Sequence, residues 1–304
     1  MIKYRNYKDE DFEEVLVLLN EGMDYDSLER FLLSEKLYDD PDWNPATSYI
    51  ALNKNNIVGF LQGVKRNLNE KFYGYVKLFA VKEKYRRQGI GSELLRRFEK
   101  DMIAQDITSL RLFDVPLNYF MPGVDPRYTP AVCFFESKNY KKKGEAINMD
   151  VDLSYSGWDI NKKQKALAKE GVVIERIDPD DKDQLMLYIS DEWKLWEFEV
   201  KMAMQNDPPA VFIARKSGGI KAFAAWDGNN RGTGWFGPMG THPSLRGKGL
   251  GSVLLYMCLD DMKKKGYEHS VIPWVGPVSF YSHYAGAKIS RVFWRYEKEL
   301  SDGK

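Results

Sequence analysis

Cysteine is nearly absent from this 304-residue chain: there are two, Cys133 and Cys258, far apart and inside apolar stretches. Neither a disulfide framework nor a Cys-x-x-Cys site can be built from them. Histidine is scarce too, and His242, His269 and His283 lack the spacing of metal ligands, so no metal is expected. A surplus of charge is missing as well. The 45 basic and 44 acidic residues leave a net charge of +1, which excludes a general pull toward nucleic acid or an anionic membrane. No segment approaches the run of about 18 apolar residues that spans a membrane. The first residues, MIKYRNYKDEDF, hold no apolar signal core, so a soluble, cytoplasmic protein is expected.

What is present is ample core material, with 43% hydrophobic and 14% aromatic residues. The chain is long for one core, and two domains of roughly 150 residues are the natural expectation. Of the local basic runs, Lys263 to Lys265 precede Gly266, as expected where a helix ends and a glycine caps it.

An internal repeat supports the division. RRQGIGSELLRRFEKDM from Arg86 matches RGKGLGSVLLYMCLDDM from Arg246 at a constant offset of 160 residues. Arg86, Gly89, Gly91 and Ser92 pair with Arg246, Gly249, Gly251 and Ser252, and the apolar positions behind them recur at helical spacing. Each copy is therefore a glycine turn opening into an amphipathic helix. Strands are expected before it, at Tyr75 to Val81 and Gly234 to Thr241, and after it, at Leu110 to Val115 and Ser270 to Val275. Further upstream, SYIALNKNNIVGFLQG and AVFIARKSGGIKAFAAW each read as a hairpin, turning at Asn55-Asn56 and Gly218-Gly219. Each half thus reads β-α-(α)-β-β-β-α-β-α-β, an α/β domain with a mixed, mostly antiparallel twisted sheet flanked by helices. The expected domains are residues 1–155 and 171–304, joined by a polar linker over 156–170.

Arg-x-x-Gly-x-Gly between a strand and a helix suits an anion. Glycines let the backbone turn sharply and come close to a ligand, and the free amides and dipole of the helix start favour negative charge. The Walker loop requires Gly-Lys-Ser/Thr, which neither copy has. The dinucleotide pattern also fails, since the second copy runs Gly247, Gly249, Gly251 with no acidic ribose-binding strand end at the usual distance. A pyrophosphate-binding loop of another kind remains.

FAVKEKYRRQGIGSELL and MGTHPSLRGKGLGSVLL, with CFFESKNY and FYSHYAGA behind them, resemble the GNAT superfamily of acyl-CoA-dependent N-acetyltransferases. The resemblance covers nearly the whole chain, twice, as in tandem members such as mycothiol synthase. It implies that the fourth and fifth strands splay apart, with the pantetheine arm of acetyl-CoA between them. In the first half the implied donor-binding residues are Phe79, Ala80, Val81, Arg86, Arg87, Gln88, Gly89, Ile90, Gly91 and Ser92. In the second half they are Met239, Gly240, Thr241, Arg246, Gly247, Lys248, Gly249, Leu250, Gly251 and Ser252. A tyrosine in the family's Phe-Tyr-Glu segment usually protonates the leaving thiolate. The first half has Phe135 at that place and the second has Tyr281, although a one-residue displacement of Gly286 leaves Tyr284 open as well.

The second half is therefore the expected catalytic one. Its acceptor would be a primary amine of a small molecule or protein, which needs a base or a proton-relaying water. Asp114, Glu136 and His283 are considered for the base, and none is settled; the second half has Trp274 where the first has the Asp114 region. An insertion between Pro116 and Pro130, rich in Tyr119, Phe120, Arg127 and Tyr128, is an ordered loop that either caps a cleft or packs. Trp193, Trp196, Phe198, Met202 and Met204 lie in the early helical region of the second half, which overhangs the acceptor site in the family's fold. The alternative to an acyltransferase is a CoA-binding sensor or scaffold with one or both domains catalytically inactive.

Overall fold

The computed structural model describes residues 1–154, 158 and 160–300. Two compact units divide it: Met1–Ala146 together with the C-terminal segment from Val292, and Ile147–Arg291. In chain order the first half forms β1 (Ile2–Asn6), α1 (Phe12–Gly22), α2 (Arg30–Tyr38), β2 (Ser48–Asn53), β3 (Asn56–Leu68) and β4 (Lys71–Val81). There follow α3 (Ile90–Ile103), β5 (Ser109–Leu112), α4 (Thr129–Ser137) and β6 (Lys141–Asp152). The second half forms α5 (Asn161–Lys169), β7 (Val172–Arg176), α6 (Lys182–Trp193), α7 (Glu197–Ala203), β8 (Val211–Lys216), β9 (Gly219–Trp226) and β10 (Phe236–Thr241). It ends with α8 (Leu250–Lys264), β11 (His269–Ile272), α9 (Val278–Ala285) and β12 (Lys288–Glu299). The mixed sheets flanked by helices match the expected fold class in both halves. The hairpins turn one residue earlier than expected, at Lys54-Asn55 and Ser217-Gly218, because Asn56 and Gly219 already pair with Asn53 and Lys216.

The amphipathic helix after each glycine motif makes the core of its unit. Leu94, Leu95, Phe98 and Met102 of α3 bury one stripe against Ala51, Val58, Leu61, Val76 and Leu112. Leu254, Leu255, Cys258, Leu259 and Met262 of α8 do the same against Ile213, Ala222, Ala224 and Phe236. Stripes of this spacing are what make a helix dock on a sheet rather than stand in solvent.

In unit 1 the strands run β1-β2-β3-β4-β5-β12-β6, with β4 and β5 parallel and β12 antiparallel to β5 through Glu297↔Arg111. In unit 2, β7-β8-β9-β10 is antiparallel, and β11 pairs antiparallel with residues 149–152 of β6. The last strand of each sequence half therefore pairs with strands of the other half: β12 with β5, and β6 with β11 and β12. The polar linker is expected over 156–170; by contact, the two units divide inside β6 and β12, between Ala146 and Ile147 and between Arg291 and Val292. The expected linker also changes character. Residues 155–157 and 159 lie outside the described residues, but α5 puts Leu167 into the unit 2 core at 3% exposure.

The exchange gives a direct test. The fragment 1–155 lacks β12, so β5 keeps an unpaired edge beside a core built to receive Tyr296, which is 1% exposed. It is expected to show no cooperative thermal transition by circular dichroism. A sharp transition at the temperature of the full chain would rule out the exchanged strand as a requirement for folding.

Candidate functional site

The two glycine loops have nearly the same backbone. A 3-10 turn follows each fourth strand, at Glu83–Tyr85 and Pro243–Leu245, and Arg86 and Arg246 are extended with ψ of 159° and 151°. Each arginine donates its Nε–H to the last carbonyl of the strand, Val81 O or Thr241 O, at 3.0 Å. The chain then turns left-handed, at Arg87 (φ 62°) or Gly247 (φ 78°), and again at Gly89 (φ 81°) or Gly249 (φ 78°), the N-cap of α3 or α8. A β-carbon disfavours that conformation by about 1–2 kcal/mol, which is why glycine stands at the cap in both copies.

The first intrahelical bonds run from Glu93 N–H to Gly89 O and from Val253 N–H to Gly249 O. The amides of residues 90–92 and 250–252 thus have no carbonyl partner within the helix and point out of its positive end. Gly91 and Gly251 serve another purpose: a β-carbon at Gly91 would lie 3.1 Å from the Phe79 ring, and one at Gly251 3.4 Å from the Phe280 ring. They let α4 and α9 pack close to the helix start.

The remaining expected donor residues group around these loops in their own units. Phe79 stacks on Phe134 with centroids 5.5 Å apart, and Met239 lies beside Gly251 and Phe280. Ile90 and Leu250 are buried anchors, Ala80 is buried, and Arg87 and Gln88 are exposed. Ser252 is buried and donates to Gly249 O at 2.8 Å, whereas Ser92 is half-buried. Lys248 pairs with Glu170.

Fourth and fifth strands part as the resemblance implies. In unit 1 they pair from Gly74↔Leu110 to Val76↔Leu112, and β4 then continues to Val81. In unit 2 the contact is a single parallel bridge, Trp235↔Val271. Both fourth strands carry a one-residue bulge at matching places. Lys77 is skipped between Val76↔Gly63 and Leu78↔Gln62, and an extra residue falls at 237–238 between Phe236↔Trp226 and Met239↔Ala224. Bulges of this kind re-aim side chains and backbone groups; nothing in the local sequence announces them.

Beside the splay, α4 and α9 carry Phe135 and Tyr281 at the matching position, a difference of one oxygen. Phe135 is fully buried, 5.6 Å from the Phe79 ring. Tyr281 is 8% exposed, 6.0 Å from the Phe236 ring, and its hydroxyl makes no hydrogen bond among the described residues. Burial pushes that hydroxyl up to about 12, so it holds its proton at neutral pH. Tyr284 packs on Phe280 at 5.0 Å and is half-buried, on the side where Lys163 lies 4.6 Å from its ring. His283 and Glu136 are exposed, and Glu136 accepts a hydrogen bond from Tyr296 Oη at 2.7 Å. Trp274 donates its backbone N–H to Asn148 Oδ1.

The opposite sides of the fourth strands also differ. In unit 1, Lys77 is fully buried and donates to Asp40, to Lys36 O at 2.7 Å and to Asn118 Oδ1 at 3.2 Å, with Arg66 on the same carboxylate. Burial pushes Lys77 down to about 7, against the pull of Asp40. Asp114 accepts from Arg295 Nε at 2.7 Å through Oδ2, while its buried Oδ1 has no partner; burial raises it to about 7. The insertion is packed: Tyr119, Phe120 and Val124 are buried, Val124 bridges to Trp294, and Tyr128 Oη donates to Asp26 at 2.7 Å. In unit 2, Trp193 lies on Gly240, where a β-carbon would be 3.0 Å from the indole, and stacks with Trp196 at 5.8 Å and 14°. Both indoles are half-buried, as is Phe198, while Met202 joins the buried residues.

Comparison with known proteins agrees with this geometry. The model of the Acetyltransferase (GNAT) family matches residues 16–119 and 175–282. No curated protein matches the chain in sequence. Among solved structures, the chain is similar to a GCN5-related glucosamine N-acetyltransferase region of a fungal multi-domain GH3 β-N-acetylglucosaminidase. The TM-score is 0.83 at 19% identity, over 98% of this chain and 38% of that protein. A GCN5-related N-acetyltransferase from Sphaerobacter thermophilus matches with TM-score 0.72 and 15% identity over 100% and 97% of the two chains. The tandem GNAT protein from the clavulanic acid biosynthesis pathway matches with TM-score 0.68 and 14% identity over 99% and 100%. At such identities the likeness is one of fold. The family match over both halves, on the loops just described, shows that the chain belongs to the acetyltransferase (GNAT) family as a tandem two-domain member.

Proposed function

We propose that the chain is an N-acetyltransferase that moves the acetyl group of acetyl-CoA to a primary amine, with transfer in unit 2. The supporting observation is Tyr281. It is a buried, protonated, uncommitted hydroxyl beside the fourth strand, where unit 1 has Phe135. The glycine loops would take the donor's pyrophosphate on the amides of residues 90–92 and 250–252. The end of the fourth strand, Met239 to Thr241 in unit 2, would line the pantetheine arm.

The chemistry is a direct attack. A lysine-like amine is neutral in about one molecule in 2,500 at pH 7, so it must first shed a proton. Its lone pair then adds to the thioester carbonyl carbon, and the C–S bond breaks as the tetrahedral intermediate collapses. The sulfur leaves as thiolate and takes the proton of Tyr281 Oη, and the N–H proton shed by the attacking nitrogen returns through water to the tyrosinate, giving the amide, free CoA and the restored hydroxyl. Removing a general acid costs about 10²- to 10⁴-fold in rate. Tyr281→Phe is expected to lower kcat at least tenfold with CoA affinity nearly unchanged, and Tyr284→Phe, the reserve donor, to do less. Full turnover in both variants, with turnover abolished by Gly89→Val, would move the chemistry to unit 1.

Unit 1 we read as a donor-binding domain without transfer, in a sensing or scaffolding role. Lys77, Asp40, Arg66 and Asn118 fill the side of its fourth strand from which an acceptor would come, and all are buried. Asp114 then acts in stability rather than catalysis. Its folded pKa of about 7 lies above the ordinary 3.8, so the native state keeps a proton that the unfolded state releases across that window. Stability should therefore fall as pH rises from about 4 to 7. Asp114→Asn is expected to flatten this fall and to gain on the order of 1 kcal/mol or more at pH 7.5 in urea unfolding, with turnover within about twofold of wild type. A variant that instead loses turnover at least a hundredfold would make Asp114 a catalytic base.

A further inference from the structure

α5 has no counterpart in the repeat, and it crosses the start of α8. Ahead of it Trp158 stacks on Tyr256 at 6.1 Å and 15°, and behind it Glu170 pairs with Lys248 of the glycine loop. Fixed at both ends and by Leu167 in the core, the helix lays Lys163 along the loop. The Lys163 Cδ is 3.7 Å from the place of a Gly249 β-carbon, and its Nζ donates to Ser252 Oγ at 2.9 Å. The Nζ also lies 4.6 Å from the Tyr284 ring centroid and 5.9 Å from that of Tyr256.

No carboxylate pairs with Lys163 among the described residues. An ammonium has been brought to the positive end of a helix, which disfavours it, beside Arg246 and Lys248. Hydroxyl and ring contacts offset that repulsion in part; an anion seated on the amides of residues 250–252 would convert it into attraction. The first loop is built differently. The β position of Gly89 has no atom within 4 Å.

We propose that Lys163 is a phosphate-binding residue of the second loop, supplied from outside the repeat, which makes that loop the tighter of the two for the donor's pyrophosphate. The proposal rests on the assignment of the pyrophosphate to that loop. Because Lys163 would touch the phosphates and not the reacting carbonyl, it is a binding residue that acts on donor affinity.

Calorimetry on the full chain carrying Gly89→Val, titrated with CoA and separately with pantetheine, tests it. Lys163→Met should weaken CoA about tenfold and leave pantetheine unchanged. Lys163→Arg should retain most of the affinity, and Lys165→Met, on an exposed position of the same helix, should change nothing. If Gly89→Val does not fold, the same comparison is read from the tighter of two isotherm phases in the otherwise wild-type chain. Unchanged or tighter CoA binding by Lys163→Met overturns the proposal, since the lysine would then merely cover the loop. Equal weakening of CoA and pantetheine overturns it too, by showing a packing role. Absence of any CoA binding by the wild-type chain removes the loop assignment itself.

Discussion

A glycine held left-handed at the mouth of a helix, with an arginine tying the loop before it to the end of a strand, sets the geometry from which each unit is built. At Gly89 and Gly249, eight residues past the strand ends at Val81 and Thr241, the backbone has to turn into the helix, and the Arg86 and Arg246 bonds to Val81 O and Thr241 O fix where it turns. That turn aims three amides outward and lets an apolar stripe follow at once, so the same helix seals the core and presents three amides with no intrahelical partner. Neighbouring choices follow from it. Gly91 and Gly251 have no side chain because the aromatic rings of α4 and α9 must come close to the helix start. This brings Phe135 and Tyr281 beside the fourth strand.

On that shared frame the halves diverge in polarity. Unit 1 fills the space beside Lys77 of its fourth strand with buried ion pairs around Asp40, whereas unit 2 sets stacked indoles over Gly240, three residues further along its own fourth strand. Buried ion pairs are poor evidence for stability, because desolvation offsets much of the Coulomb gain, but they leave no room for an incoming substrate. An apolar wall leaves room for a planar or apolar acceptor to lie against it. Together with the hydroxyl that separates Tyr281 from Phe135, this asymmetry supports the proposal that both units bind the donor and one transfers it.

Much of this was legible in the chain itself. The repeat at offset 160 located both loops and their helices, and the helical stripe behind Gly89 and Gly249 located the cores. What escaped was long-range. Periodicity shows that residues 141–152 and 288–299 form strands, but not that β12 pairs with β5 and β6 with β11, because a strand's partner is not written in its own pattern. The bulges at Lys77 and at 237–238 depend on the register of a neighbour. Lys163 sat in a polar stretch that read as a linker, since a helix of nine residues with one buried leucine has little apolar signature. The insertion from Pro116 to Pro130 is an ordered loop, as its composition reads, and Tyr119 and Phe120 pack inward while Tyr128 is half-buried.

The central claim is that both repeated loops hold the acyl donor. The most direct measurement is the stoichiometry of CoA binding to the intact chain by calorimetry. The account expects two molecules per chain, in two phases of different affinity, with Gly249→Val removing the tighter phase and Gly89→Val the weaker. A single site in the wild-type chain, lost completely with either one of these substitutions alone, would contradict it.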